Sequence, residues 1–545
     1  MGFEIQVINQ HNSLTLKYQR LNYKGLQQLC SALKFCSLLH TLNLNMQETE
    51  IYSEDILELT SILKDNKSLK TLKLNLDHTK IGVLGALHLS SILTNCDNLT
   101  NLKLTLSQIG DEGAKYLGLG LASCKNLQVL KLLLSSNEIS DNGIQTLSSS
   151  LESCKNLQSL KLILMRNKIE QKGAQSLATA LANLTNISEL KISLRANEIG
   201  AQGASALGLA FSSCRNISIL ELFLYYNKIG PKGTQDLCSN WPNCKFLSDL
   251  TLQMDSNEIG DDGAYSLGQA ISKCSMVQNL KLMLECNRIK EKGAIGLGQI
   301  FENLTNLKNY VLNLRINHLN AQGFSNLVTP LFKCKSIQNL NMNLKSNPID
   351  YLDTQIFCPS LVNCSNLTTF TLKLTPYDQG VTLGSIMIQN IVNLQNLKLQ
   401  LRKGSFVGIG VMHLGQNIGN CDNLLNFQVD FSQNKIDNDG AKGLCSGLSK
   451  CKVLQNVKID FYNNQIGDEG FSGIIFELAN CKNLQNLNLK FSNNNITEKG
   501  PQNLGKIFQN YQNLLSLKLN LNFNQIGDSG ASAILLALTA GLLLN

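Results

Sequence analysis

Leucine recurs at every second position in short runs along the chain, and each run is followed by apolar residues at helical spacing. In residues 154–183, the leucines from Leu160 to Leu164 alternate with other residues, a period of two that predicts a β-strand with its leucines on one face. Leu177 and Leu181 follow at the spacing of an amphipathic helix. The pattern therefore predicts a repeated unit of strand, turn, helix and return loop.

A glycine marks the same place near the start of almost every predicted helix. Its spacing is 30 residues along two series, which are Gly113, Gly143, Gly173, Gly203, Gly233, Gly263, Gly293 and Gly323, then Gly380, Gly410, Gly440, Gly470, Gly500 and Gly530. A fixed period of this length is typical of a solenoid, in which each unit packs on the next. Counting by this glycine, with Asp55 and Asp353 in its place in two units, predicts eighteen units.

We call the residues at one place in successive repeats a column. An Asn column lies six residues before the glycine column, from Asn137 to Asn347 and again from Asn434 to Asn524. An Asn amide donates and accepts hydrogen bonds at once, so stacked Asn side chains can pair the backbone groups that a sharp turn buries. The glycines are expected where helix and strand backbones pack closely. Both columns are therefore interpreted as structural.

Two stretches depart from the regular period. Residues 1–20 hold two alternating runs, FEIQV and LTLKY, and predict an N-terminal cap strand ahead of a single solenoid over 21–545. Over residues 345–411 the Asn column fails, and three of the seven prolines cluster there, namely Pro348, Pro359 and Pro376. Drifted repeats with a local kink and a binding loop are both open interpretations. Leucine alternation continues through this stretch, so no domain boundary is predicted.

Cysteine is abundant, with 17 residues, and most of it falls in one column. That column holds Cys36, Cys96, Cys124, Cys154, Cys214, Cys244, Cys274, Cys334, Cys364, Cys421, Cys451 and Cys481. Elsewhere the same place is taken by Leu184, Leu304 and Ile391, so these cysteines are interpreted as small buried apolar residues rather than as disulfides or metal ligands. This usage predicts a reducing, intracellular location in the cytoplasm.

The repeat resembles the leucine-rich repeat, in the strand–helix form of ribonuclease inhibitor. Two instances are NLQVLKLLLSSNEISDNGIQTLSSSLESC and FLSDLTLQMDSNEIGDDGAYSLGQAISKC, and the likeness extends over residues 20–545. The resemblance implies an α/β solenoid curved into a horseshoe, with a parallel sheet on the concave face and helices on the convex face. Members of this family bind many unrelated partners, so the resemblance does not specify one.

Composition and motifs favour a binding protein over an enzyme. The net charge is +8 over 545 residues, which permits acidic partners without indicating nucleic acid. No apolar run is long enough for a transmembrane helix, so no membrane association is expected. The six histidines are scattered, and a GxxxxGK match from Gly500 to Lys506 has Ile507 where magnesium binding needs Ser or Thr. No catalytic group, metal or cofactor is predicted.

The solvent side of the strands is the predicted binding surface. Lysine recurs there in one column, and a gap at Glu221 and Thr251 coincides with apolar and aromatic residues in the neighbouring columns. Solvated lysines and scattered apolar residues are the alternative interpretation. The residues predicted to bind a partner are Leu133, Ile163, Met165, Phe223, Tyr225, Tyr226 and Met283, together with Lys131, Lys161, Lys191 and Lys281.

These features predict a non-enzymatic protein–protein interaction scaffold that binds a protein, of acidic character if the lysines take part, along the concave face. Two alternatives remain open. One is a structural subunit of a large cytoskeletal or ciliary assembly. The other is a GTPase regulator, because Ran GTPase-activating proteins have a similar repeat architecture, although the acidic C-terminal tail of those proteins has no counterpart in this sequence.

Overall fold

The computed structural model describes residues 4–8, 13–17, 23–36, 38–349, 361, 363–375, 391, 393–404 and 406–542. The chain forms two compact units, Met1–Val277 and Gln278–Asn545. Each unit consists of repeated short strands alternating with helices, as the period of the sequence predicts. The predicted α/β class and the solenoid repeat are confirmed.

The first unit contains ten strands and nine helices within its described residues. Strands β1 to β10 are Glu4–Ile8, Ser13–Lys17, Thr41–Asn45, Thr71–Leu76, Asn101–Leu106, Val129–Leu133, Ser159–Ile163, Glu189–Ser193, Ile219–Phe223 and Asp249–Gln253. Helices α1 to α9 are Tyr23–Leu33, Ser53–Leu63, Gly82–Leu93, Gly110–Leu121, Asp141–Leu151, Gln171–Asn183, Gly200–Ala210, Gly230–Cys238 and Gly260–Ser272. A 3-10 turn, Trp241–Asn243, follows α8.

The second unit contains nine strands and seven helices within its described residues. Strands β11 to β19 are Asn279–Met283, Asn309–Asn313, Asn339–Asn343, Thr369–Lys373, Asn396–Gln400, Asn426–Asp430, Asn456–Asp460, Asn486–Lys490 and Ser516–Asn520. Helices α10 to α16 are Glu291–Asn303, Ala321–Val328, Gly408–Ile418, Asn438–Leu448, Asp468–Leu478, Leu504–Phe508 and Gly527–Leu542. Two 3-10 turns, Thr329–Lys333 and Gly500–Asn503, complete the unit.

Strands pair in sequence order within each unit. In the first unit β1 is antiparallel to β2, and β2 to β10 are parallel. In the second unit β11 to β19 are all parallel. Each unit thus has nine parallel strands among its described residues, and eighteen in total match the eighteen repeats counted from the glycines. The expected single solenoid over 21–545 stays a prediction.

The leucine alternation fixes which side of each sheet is buried. In β7, Leu160 and Leu162 are buried while Lys161 and Ile163 are half-buried on the other side. Leu177 of the following helix is also buried, so strand and helix share one core, as predicted. Full burial of one Leu stabilises by roughly 1.5–3 kcal/mol. The first, third and fifth strand positions are left on the solvent face.

The Asn column forms the predicted hydrogen-bond ladder, and its partners lie on its own turn and on the preceding repeat. The amide of Asn197 donates to the carbonyls of Leu164 and Leu194, at 2.9 and 3.0 Å, and its Oδ1 accepts from the N–H of Ile169 at 3.0 Å. Each Asn therefore joins its own turn to the turn one repeat earlier. These residues are structural, as their position in the repeat indicates.

The glycine column lies in the first turn of the helices. The prediction that glycine is needed there because helix and strand backbones pack closely was wrong. A Cβ built at Gly233 of α8 would come within 2.7 Å of the Cα of Ala201 on α7. At Gly263 of α9, a Cβ would come within 3.1 Å of the Cα of Pro231 on α8. Glycine is needed because adjacent helices approach closely there, and not because helix and strand backbones meet.

The cysteine column is buried in eleven of its twelve places, and the exception is Cys36 in the first repeat. Burial raises the pKa of the Cys124 thiol to about 12, which leaves that thiol protonated at neutral pH. The described cysteines are free thiols. Cys36 is exposed and follows the end of α1, where its thiol donates to the carbonyl of Ala32 at 3.7 Å.

The irregular stretch at 345–411 is described only in part. Pro359 and Pro376 lie outside the described residues, so neither open interpretation of this stretch is tested. Within the described part, Asn347 still donates to the carbonyls of Leu314 and Leu344. The pairing of β13, β14 and β15 continues in register through the stretch, as the leucine alternation predicts.

Candidate functional site

Five lysines form a continuous row on the solvent face of the first unit. They occupy the third position of β4 to β8 and pair with one another in register, and we call Lys73, Lys103, Lys131, Lys161 and Lys191 the lysine row. Neighbouring parallel strands are about 4.8 Å apart, so the row extends over roughly 19 Å. Glu221 of β9 ends the row and forms an ion pair with Lys191.

The charges of the lysine row are largely uncompensated. Within the described part of the chain, only Lys191 of this row makes an ion pair. Partial burial, and then the like charges of its neighbours in the row, lower the pKa of Lys161. Like charges directly opposite each other in a sheet are destabilising, so the fold retains this arrangement against repulsion.

An aromatic cluster lies beside the end of the lysine row and consists of Phe223, Tyr225 and Tyr226. The Nζ of Lys191 lies 4.7 Å from the centre of the Phe223 ring, and the guanidinium of Arg195 lies 4.7 Å from that of Tyr225. The two tyrosine rings meet edge to face, with centres 4.1 Å apart. Their hydrogen bond raises the pKa of Tyr225. The rings are thus held by two cations that flank them.

The other predicted apolar residues are only partly brought together. Leu133 and Ile163 lie opposite each other on β6 and β7, and both are half-buried. Ser193 occupies the next place across the sheet and separates Ile163 from Phe223. Met165 lies past the end of β7, where the backbone pairs with the turn that carries Arg195. The predicted apolar surface is therefore interrupted by polar residues.

Two predicted site residues belong to the second unit. Met283 and Lys281 lie on β11, at the fifth and third positions, and both are half-buried on the solvent face of that unit's sheet. Sequence reasoning missed Arg195, because it does not belong to a repeating column of basic residues. Its position two residues before Asn197 was the available signal.

Tyr226 has a left-handed backbone conformation that favours glycine or asparagine. Its φ is 55°, and the same column is left-handed in other repeats, where it holds residues as different as Ala196, Ile316, Asn463 and Phe523. The left-handed region costs an ordinary residue roughly 1–2 kcal/mol, and Asn less. Tyr226 is nevertheless present and 55% exposed. The left-handed turn is common to the repeats, and it is the exposure of the ring that makes Tyr226 available to a partner.

Replacing Tyr226 by Asn is expected to change the free energy of unfolding by less than about 1 kcal/mol. The lost ring contact, roughly 0.5–1.5 kcal/mol, is offset by relief of the backbone strain. Tyr225→Asn is the matched control: it loses the same contact without that relief, so it is expected to cost about 1–2 kcal/mol. Urea denaturation followed by circular dichroism measures both, and equal losses would contradict the strain argument.

A groove of about 490 Å³ lies on the solvent face of the second unit. It runs over β14 to β19 and is lined by Asn396, Asn426, Asn456 and Asn486 at the first strand position, and by Lys398, Lys458 and Lys518 at the third. From the sequence, these lysines were predicted only as members of the lysine column on the solvent side of the strands. The asparagines were missed. In the described residues, no helix has the length and hydropathy to cross a bilayer, and no three metal-ligand side chains group together.

The comparisons with known proteins agree with this geometry. A family model described as Leucine Rich repeat matches residues 95–118, 123–148, 249–268 and 515–535. The structure of a leucine-rich-repeat protein from Leptospira interrogans is similar at a TM-score of 0.51 and 19% identity, covering 96% of this chain and 98% of that one. No curated protein matches the sequence.

A second solved structure resembles the chain more weakly. It is the Arabidopsis receptor kinase HAESA in complex with the peptide hormone IDA and the co-receptor SERK1, at a TM-score of 0.33 and 16% identity, covering 96% of this chain and 84% of that one. This likeness is too low to support an argument. The four segments that the family model matches, together with the repeat geometry, support a leucine-rich-repeat protein, and the ribonuclease-inhibitor type stays a prediction.

Proposed function

We propose that this protein is a non-enzymatic interaction scaffold of the reducing cytoplasm, and that its first unit binds an acidic segment of a partner protein. The leucine-rich repeats support the general role of a protein-interaction scaffold. The binding surface is the solvent face of β4 to β9, where the lysine row leads to the aromatic cluster.

The uncompensated lysine row is the observation that carries this proposal. The fold itself does not need lysine at this place, because Thr251 occupies the same column on β10. Four of the five ammonium groups have no ion-pair partner in the described residues, and the pKa of Lys161 is lowered. A segment rich in carboxylates placed along the row would turn this repulsion into attraction and would speed association.

The aromatic cluster supplies the anchor for the same partner. Tyrosine is enriched among the residues that dominate binding energy, because its ring buries a large area at a small entropic cost. Arg195 and Lys191 hold the rings of Tyr225 and Phe223 in place before a partner arrives, so little ordering is needed on binding. An acidic segment that also carries an apolar side chain would fit both parts of the surface.

Quantitative affinity capture with the full chain tests the proposal. The variant Phe223→Ala/Tyr225→Ala/Tyr226→Ala is expected to lose at least about 30-fold in affinity for the captured partner, which corresponds to about 2 kcal/mol. The control is Leu119→Ala/Leu209→Ala, which removes two exposed apolar side chains from helices α4 and α7 of the same unit.

The two variants give opposite results if the proposal is correct. Partner binding is lost in the aromatic variant and retained in the helix variant, and circular dichroism confirms that both are folded. A partner that is retained by the aromatic variant and lost by the helix variant would place the binding surface on the helices and contradict the proposal.

A further inference from the structure

The second unit carries a ladder of side-chain amides on its solvent face, separate from the buried Asn column of the turns. At the first strand position, Asn426 donates to Asn396, Asn456 to Asn426 and Asn486 to Asn456, each at 2.6 Å between Nδ2 and Oδ1. At the end of the series, the Nδ2 of Asn396 donates to the hydroxyl of Thr369 at 3.2 Å. We call these four asparagines the amide ladder.

The amide ladder lines the groove and leaves part of its hydrogen-bonding capacity unused. An Asn side chain has two N–H donors and two acceptor lone pairs, and the ladder uses one of each. In every bond of the ladder the donor lies one strand after the acceptor, so the four amides have the same orientation. Each strand from β15 to β18 therefore has an amide with an unused N–H and an unused lone pair, at intervals of about 4.8 Å.

Positive charge in the groove recurs at every second strand. At the third strand position, Lys398 of β15, Lys458 of β17 and Lys518 of β19 alternate with Gln428 of β16 and Asn488 of β18. Their strands are separated by about 9.6 Å. None of the three lysines pairs with a carboxylate of the described residues, and no acidic side chain lines the groove.

This spacing matches one conformation of an extended chain. In a polyproline II helix the rise is about 3.1 Å per residue, with three residues per turn, so side chains three residues apart lie on one side about 9.3 Å from each other. The backbone of that helix makes no internal hydrogen bonds, and its carbonyl and N–H groups are open to outside partners. The amide ladder provides such partners.

We propose that this groove binds an extended acidic peptide in the polyproline II conformation, with Asp or Glu at every third residue, running across β15 to β19. The carboxylates meet Lys398, Lys458 and Lys518, and the peptide backbone meets the amide ladder. Single-stranded nucleic acid fits less well, because its binding relies on exposed aromatic rings. The two aromatic residues in the groove, Phe370 and Phe427, have buried side chains.

This site differs from the surface proposed on the first unit. There the lysines occur on every strand, about 4.8 Å apart, and lead to an aromatic cluster. Here they occur on alternate strands and are accompanied by amides. The inference therefore goes beyond the proposed function and would stand if the first surface had no partner.

Two synthetic peptides of equal composition test the site by fluorescence polarisation with the full chain. In one, Glu follows every two prolines; in the other, the same glutamates are contiguous. The first peptide is expected to bind about tenfold more tightly, because only its carboxylates match all three lysines. Lys458→Gln is expected to abolish that preference. Lys458→Arg keeps the positive charge and is expected to retain the preference. Lys458 is exposed, so the fold is expected to survive both changes.

Lys161→Gln in the first unit is the matched control and is expected to leave the preference between the peptides unchanged. Equal affinity of the two peptides for Lys161→Gln, in which the lysine row of the first unit is interrupted, would overturn the proposal. So would loss of the preference in Lys161→Gln but not in Lys458→Gln. Tighter binding of a single-stranded oligonucleotide, weakened by Lys458→Gln, would assign the groove to nucleic acid instead and would also overturn it.

Discussion

Replacing Asn227 by Ala is expected to lower the free energy of unfolding of its region by about 2–6 kcal/mol. Asn227 is completely buried. Its amide donates to the carbonyls of Leu194 and Leu224, at 2.8 and 2.9 Å, and its Oδ1 accepts from the N–H of Ile199. Alanine leaves the buried N–H of Ile199 without a partner, which costs roughly 1–3 kcal/mol. The two carbonyls each lose one of two donors, at roughly 0.5–1.5 kcal/mol per bond, because the amides of Asn197 and Asn257 still donate to them.

Asn216→Ala is the matched control for this prediction. Asn216 is exposed and makes one side-chain hydrogen bond, to the carbonyl of Thr185 at 3.0 Å. Water can replace that bond, so the expected loss is below about 1 kcal/mol. Urea denaturation and hydrogen exchange of the amides around residues 194–227 measure both variants. Equal losses would show that the buried ladder has no special role.

Gly447→Ala is expected to destabilise the second unit by about 3 kcal/mol, at the upper end for overpacking. Gly447 lies on α13, and a Cβ there would overlap the carbonyl oxygen of Gly415 on α12. Backbone atoms of two packed helices cannot move aside as a side chain can. The two helices must separate, and the contacts between them are lost over their length.

Gly473→Ala on the next helix, α14, is the control and is expected to have the opposite sign. The nearest atom to its added Cβ is in the flexible side chain of Lys442, at 3.2 Å. Alanine there gains helix propensity and is expected to stabilise by about 0.5–1 kcal/mol. The midpoint temperature of thermal unfolding is measured for both variants. A shift of the same sign in both would contradict the close approach of α12 and α13.

Much of the fold could be predicted from the sequence because each repeat places the same residue type in the same environment. The alternation at Leu160 and Leu162 fixes the buried face, and a repeated Asn implies a repeated backbone partner. The neighbour of the glycines could not be predicted, because a period along the chain does not give the distance between helices. The exposure of Cys36 is an effect of position in the first repeat.

The candidate site could be predicted less well, because it consists of departures from the repeat. The lysine row was visible as a column, and its register on β4 to β8 follows from the period. The role of Arg195 was not visible, because its contact with Tyr225 depends on turns in neighbouring repeats. The amide ladder had a sequence signal, an Asn at the first position of most strands in the second unit, but its bonds require the structure.

The most direct test of the central claim is lysine acylation of the full chain, read by mass spectrometry with and without the captured partner. We expect Lys131 and Lys161 to become protected in the complex. Lys172, which is exposed on helix α6 of the same unit, keeps its reactivity. Unchanged labelling of Lys131 and Lys161, with protection of Lys172, would contradict binding on the strand face.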